Sequence, residues 1–427
     1  MKKKLGLIPL VAATFFMVSG GPYGIEGLVQ QSGYALAIVT LLAIPLIWAL
    51  PTGLMVGELA AAIPAEGGFY VWVRRALGDF WGFQEAWLSL SASVFDLAAY
   101  PAIFVLSLGQ LWPTALHNPW RVMIPAVVIL SSVAWNMLGA KAVGGSSIVL
   151  GLLLLAPFAL MVVLAPHRGI PASTGAHANW YSGLILAMWN FMGWDNASTV
   201  AQEVENPQRT YPRTMFWTIA AAALVYIVPI SAVGYSGVPA SSWSDGAWVS
   251  LAGGVRPWLA VPVLLTIMIS VVGQVNSLTM SYSRIPLAMV EDKLAPAFLR
   301  NLNYSLLFCG LIWTLALSLS LDRILLLDIL LYGASLILEF VALVVLRIRE
   351  PDLVRPFKIP GGIRGAIAIS VAPCVLLVLA AVLNRHEQVG SISAAMLAVG
   401  VAICGLVVYP LAKKLRSPVN LRSCRSS

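Results

Sequence analysis

Long apolar stretches recur along the whole chain, separated by short polar links. At about 20 apolar residues per crossing, the pattern predicts twelve membrane-spanning helices. They start near Leu5, Tyr34, Trp81, Val122, Ser147, Tyr181, Thr214, Pro257, Tyr304, Ile324, Ile367 and Ile392. The first is interrupted at its middle by Ser19-Gly20-Gly21-Pro22-Tyr23-Gly24, with a carboxylate two residues on at Glu26. Three glycines and a proline in six residues are poor helix formers. In hydrocarbon each orphaned N–H or C=O costs several kcal/mol, so such a break survives only where protein or a watery cavity lines it. Its freed amides and carbonyls then become ligands for a solute or ion. A glycine-rich helix contact with a proline kink is the plainer alternative, and Glu26 argues against it.

Span 6 holds a second candidate break, Asn190-Phe191-Met192-Gly193-Trp194-Asp195-Asn196-Ala197-Ser198-Thr199. Gly193 is a weak helix position, and Asp195 and Asn196 prefer caps and turns. It lies five spans after the first. That interval is expected if spans 1–5 and 6–10 form two inverted repeats whose broken helices meet at a site.

Acidic residues inside spans are rare and usually functional. Here they are Glu26, Glu58, Glu85, Asp96, Asp195, Asp328 and Glu339. Glu58 is expected to snorkel or pair near the interface, and Glu85 to sit near a helix start, where its charge suits the dipole. Glu85 and Asp96 are eleven residues apart, which at about 100° per residue puts them on one face. Ser89 and Ser93 lie close to that face, and Tyr100 one turn beyond. The same interval separates Asp328 from Glu339, with Tyr332 and Ser335 between them. Such stripes face a bundle interior or a water path, as a proton route or as interhelical glue. The depth of Asp96 favours a functional role there. Span 8 carries Ser277, Thr279, Ser281 and Ser283 before Arg284. These hydroxyls bond carbonyls of their own helix or coordinate sodium, and Arg284 is expected to pair with Glu203 or Glu205.

Composition agrees with the spans: of 427 residues, 59% are hydrophobic and 10% charged, against roughly 25% charged in soluble proteins. Twenty of the 26 basic residues fall in links on the N-terminal side, from Lys2-Lys3-Lys4 through Arg74, Arg75, Arg209, Arg213, Arg355 and Lys358 to the C-terminal tail. Five (Arg121, Arg168, Arg256, Arg323, Arg385) fall opposite, which predicts cytoplasmic termini. The net charge of +8 then needs no nucleic-acid partner. Lys2-Lys3-Lys4 is not followed by a cleavage site with a polar mature sequence, so a signal peptide is not expected. Cys309, Cys374, Cys404 and Cys424 have no metal-ligand spacing and read as small core residues. Neither metal nor cofactor is predicted.

Several motifs resemble the amino acid–polyamine–organocation (APC) superfamily of secondary transporters. Glu203 to Arg213 is similar to its E-x-x-N-P-x-R-x-x-P-R signature, and Ser283 to Met289 with Asp292 to its S-R-x-x-x-A-M-x-x-D stretch. Gly193-Trp194-Asp195 parallels the G-F-D of its broken sixth helix. A narrower resemblance is to the polyamine:proton symporter branch, carried by Gly21 to Glu26, Pro64 to Val73, Phe80 to Gln84, Tyr100-Pro101 and Arg355 to Pro360. It implies an all-α, leucine-transporter-like fold of twelve helices with two inverted five-helix repeats, helices 1 and 6 broken. The repeats would occupy residues 1–165 and 166–350, and two peripheral helices residues 351–427. Carried over, Ser19, Gly20, Gly21, Tyr23 and Gly24 would hold a substrate carboxylate through backbone amides, and Trp194 would be the aromatic gate. Glu26, Asp96 and Asp195 would serve amino groups or protons. Two departures stand out: the span 5 lysine of some proton-coupled members is absent, and the link Asn301-Leu302-Asn303-Tyr304 is shorter than that of the family.

The expected function is a permease for amino acids or polyamines, coupled to protons sooner than to sodium. Glu26 and Asp195 would face each other across a cavity whose low dielectric strengthens their hold on a cation. An enzyme is not expected: the spans lack H-E-x-x-H, G-x-S-x-G and clustered histidines, and His117, His167, His177 and His386 fall in external links. A ring-like channel filter is not seen either.

Overall fold

The computed structural model describes residues 4–169, 180–244, 246–317, 324–383, 388–389 and 392–414. Lys2, Lys3, His177, Arg323, Arg385, His386, Arg416, Arg422, Cys424 and Arg425 lie outside the described residues. The first apolar stretch forms α1 (Leu7–Val18). It stops where Gly20, Gly21 and Gly24 take φ of 66°, 115° and 79° and Pro22 offers no N–H. Helix resumes in α2 (Glu26–Ile44), with Glu26 in the first turn, where a carboxylate suits the dipole. Gly33 (φ 71°) kinks α2, and a π-helical stretch, Pro45–Ala49, leads into α3 (Leu50–Ala62).

The short helix α4 (Phe69–Leu77) was not announced by hydropathy. Its amphipathic pattern buries Phe69, Tyr70, Trp72, Val73 and Ala76, with Arg74 and Arg75 in its last turn. Next come α5 (Asp79–Gly109), α6 (Trp120–Asn136) and α7 (Ala140–Leu164). The 31 residues of α5 extend about 46 Å at 1.5 Å per residue. The second break follows α8 (Trp180–Trp189), and beyond Gly193 the chain continues as 3₁₀ turns, Asp195–Thr199 and Ala201–Glu203. Side chains explain the tighter turn: Thr199 Oγ1 donates to Asn196 O at 2.9 Å, competing with regular α-helical pairing.

The remaining helices are α9 (Pro207–Tyr235), α10 (Trp248–Val255), α11 (Ala260–Tyr282), α12 (Arg284–Glu291) and α13 (Leu302–Ala316). They are followed by α14 (Ile324–Arg349), α15 (Gly362–Leu383) and α16 (Ala394–Lys414). A two-residue hairpin pairs Gln388–Val389 with Ile392–Ser393, a small departure from the all-helical expectation. The short link before α13 is closed by a cap, in which Asn301 Oδ1 accepts from Asn303 N at 2.9 Å.

Among the described residues, eight helical stretches are long and apolar enough to cross a membrane, and Leu7–Val18, Trp120–Asn136 and Leu302–Ala316 are shorter apolar helices. Leu152 and Val163 of α7 and Val407 of α16 are 68%, 77% and 65% exposed, while Asp195, Asp328 and Glu339 are buried with their helices around them. Apolar outside and polar inside is the arrangement a bilayer selects. The chain is a multi-pass membrane protein. At its centre α5 packs on α14, α11 packs on α5 and α7, and α1 packs on α7, α9 and α11.

Candidate functional site

The two breaks lie against each other. Asn190 Nδ2 donates to Gly24 O at 2.8 Å, and Tyr226 OH donates to Asn190 O at 3.0 Å. Gly193 has φ 91°, and a Cβ there would stand 2.6 Å from Met17 O at the end of α1. Only glycine fits that approach. Gly193→Ala is therefore expected to destabilise the protein by about 1–3 kcal/mol through backbone strain alone, with further loss from the clash. Thermal unfolding in detergent measures this, and wild-type stability would refute the constraint.

Between the breaks lies a small cavity, about 20 Å³, walled by Met17 and Val18, by Trp189, Met192, Gly193 and Asn196, and by Asp96, Tyr100, Tyr282, Asp328 and Tyr332. This is room for about one water, so a larger solute is admitted only when the helices separate. Tyr282 OH donates to Asp96 Oδ2 at 2.9 Å. Asp96 and Asp328 interact electrostatically across the cavity wall, with Trp189 beside Asp328. Tyr332 OH donates to Asp195 Oδ1 at 2.5 Å and accepts from Gly193 N at 3.0 Å, tying α14 to the second break. The Tyr100 and Trp189 rings stack at 6.1 Å.

The geometry differs from the sequence expectation at the first break. Its carbonyls are already engaged: Gly20 O by Ser270, Pro22 O by Trp248 Nε1 at 2.7 Å, and Gly24 O by Asn190. The Gly21 amide donates to Ser19 Oγ at 3.3 Å, and Tyr23 OH bonds Thr266. Thus Ser19, Gly20, Gly21, Tyr23, Gly24 and Glu26 are absent from the cavity wall, to which α1 contributes Met17 and Val18. Glu26 and Asp195 do not face each other across it. Trp194 is also elsewhere, fully buried and donating to Phe191 O at 2.7 Å.

Of the other sequence-predicted residues, Asp96 lines the cavity, and Asp195 touches it through Tyr332. Ser281 Oγ donates to Asn196 Oδ1 at 2.8 Å and so joins α11 to the second break. Ser277 Oγ lies 3.5 Å from Ser147 Oγ of α7. Arg284, fully buried, donates to Glu203 Oε1 through Nε at 3.1 Å and Nη2 at 2.9 Å, so Glu203 is its partner. Glu203 also lines a larger polar recess of about 750 Å³, together with Lys4, Glu66, Glu205, Glu291 and Arg300. Residues not counted toward the site from sequence are Tyr100, Trp189, Tyr282, Asp328 and Tyr332. Three of these, Tyr100, Asp328 and Tyr332, were marked by the eleven-residue stripes.

Set against known proteins, residues 11–407 match the model of an amino acid permease family. The polyamine transporter RMV1 of Arabidopsis thaliana is 32% identical over 442 residues, covering 100% of this chain and 88% of that protein. The polyamine transporter PUT1 of Oryza sativa subsp. japonica is 33% identical over 425 residues, covering 96% and 78%. An uncharacterized transporter of Mycobacterium tuberculosis is 28% identical over 311 residues, 70% of this chain and 68% of that protein. With the family model spanning most of its length and the two plant relatives aligned along nearly all of it, the chain belongs to the amino acid permease family and is a membrane transporter, not an enzyme.

Proposed function

We propose that this transporter moves small cationic amines, polyamines before amino acids, by alternating access coupled to protons. One observation carries the reading: an acid pair, Asp96 with Asp328, sits among aromatic rings where two interrupted helices meet. Carboxylates in a low-dielectric cavity hold an ammonium strongly, and Tyr and Trp faces add cation–π attraction. An amino acid would also need donors for its carboxylate, and the amide of Gly21 is taken by Ser19 Oγ. The polyamine relatives support the same preference.

In this reading residues 1–165 and 166–350 are two inverted five-helix repeats with α1–α2 and α8 as the interrupted elements, twelve crossings in all, and residues 351–427 are peripheral. The excess of basic residues on one side supports cytoplasmic termini. The recess beside Arg284–Glu203 is then the cytoplasmic vestibule, and that ion pair its inner gate. Proteoliposomes loaded in turn with an imposed pH or sodium gradient are expected to take up labelled putrescine or spermidine with the pH gradient. Uptake of amino acids alone, or drive by sodium alone, would replace this reading with that of an amino acid exchanger or sodium symporter.

A further inference from the structure

The acid stripes of α5 and α14 meet along their length. In antiparallel register, Asp96 contacts Asp328 at one end, and at the other Ser335 Oγ donates to Glu85 Oε1 while Ser89 Oγ lies 2.9 Å from Ser335 Oγ. Glu339 interacts electrostatically with Glu85 and with Asp195. Both residues are 0% exposed, and three of their four carboxylate oxygens (Glu85 Oε2, Glu339 Oε1 and Oε2) have no hydrogen-bond partner. Two buried negative charges side by side repel strongly and lose their hydration. Something positive must balance them.

Among the described residues no nearby cationic side chain does so. On α4, Arg74 pairs with Asp79 and Asp292, Arg75 pairs with Glu350, and Tyr70 donates to Asp292. Arg284 beyond α11 pairs with Glu203, while Arg347 and Arg355 pair with Glu58 of α3. Arg349 donates to Ala76 O. The charged or titratable groups facing the pair are Asp195 and Tyr332, and neither is cationic.

We propose that Glu85 and Glu339 form the proton site of the transport cycle, separate from the Asp96–Asp328 pair that receives the amine. The proposal rests on the proton-coupled reading above. The link between the two sites is Asp195: it lies within electrostatic reach of Asp96, Glu85 and Glu339, and Tyr332 ties it to the cavity wall. A proton on the Glu85–Glu339 pair removes one negative charge. An ammonium beside Asp96 and Asp195 balances the remaining acids, so the site is charge-compensated for the inward step only when proton and amine are both bound, and both are released toward the cytoplasm. One proton binds and one departs, and no bond of the substrate changes.

The test is Glu339→Gln in proteoliposomes with the membrane potential clamped. A one-unit pH gradient is equivalent to about 1.4 kcal/mol per proton, or about tenfold accumulation. Wild type is expected to concentrate labelled putrescine by that order. Glu339→Gln should fall to simple equilibration, about onefold, while keeping counterflow of putrescine at equal pH within a fewfold. Glu339→Asp should restore accumulation with an altered pH profile. If wild type is proton-driven and Glu339→Gln accumulates equally well, the proton site lies elsewhere and the functional reading survives. If Glu339→Gln loses counterflow and Glu339→Asp restores nothing, the pair is structural and the proposal falls. Wild type indifferent to the pH gradient overturns both readings.

Discussion

Asp96→Asn is expected to abolish concentrative amine uptake while leaving the protein folded. Asn has nearly the shape of Asp and can still accept from Tyr282 OH and meet Asp328, so the packing of α5 on α11 and α14 is preserved. What is lost is the charge. Removing one partner of a buried, hydrogen-bonded charge pair costs about 2–5 kcal/mol, roughly 30-fold to several-thousand-fold in binding. The substitution should therefore raise the half-saturating putrescine concentration beyond reach. Tyr282→Phe, which removes only the phenol donor, should cost far less. Uptake kinetics in proteoliposomes, with thermal unfolding in detergent as the folding control, separate these effects. Asp96→Asn transport within threefold of wild type would take Asp96 out of the site.

Glu58→Gln is expected to produce the largest loss of stability. The sequence admits Glu58 only as a residue that snorkels or pairs near the interface. The structure buries it fully, with donors Arg347 Nη2 and Nε (the latter at 2.9 Å) and Ile359 N at 2.7 Å, and with the charge of Arg355 Nε 3.3 Å away. These contacts join α3 to the end of α14 and to the segment leading into α15. Neutralising the carboxylate leaves Arg347, only 5% exposed, without its counter-charge. Breaking a buried pair in this way costs about 3–5 kcal/mol, whereas replacing both members with apolar groups is often neutral. The double variant Glu58→Gln with Arg347→Met should recover part of the loss. Denaturation in detergent is the measurement, and a single-variant loss under about 1 kcal/mol would show that the cluster carries little stability.

Both predictions involve residues that are conspicuous in sequence for the same reason: a charge in an apolar run demands an explanation. Their partners are not conspicuous. Arg347 is 289 positions from Glu58, and Tyr282 is 186 from Asp96. The Arg284–Glu203 pair was within reach of sequence because a single buried guanidinium had two candidate acids, and geometry chose between them. The first break shows the opposite case. Its glycines and proline were legible as an interruption, but the expectation that its freed carbonyls wait for a solute or ion overlooked Ser270, Trp248 and Asn190, which arrive from three other elements and donate to them.

Sequence alone determined the membrane setting, the places where helix fails, and the two eleven-residue acid stripes, because hydropathy, glycine and proline chemistry and helical period are local properties. Only tertiary structure decided that those stripes face each other and that the cavity opens beside Asp96 and Asp328 instead of between Glu26 and Asp195. A helical repeat says which residues share a face; it carries no information about which distant helix that face will meet.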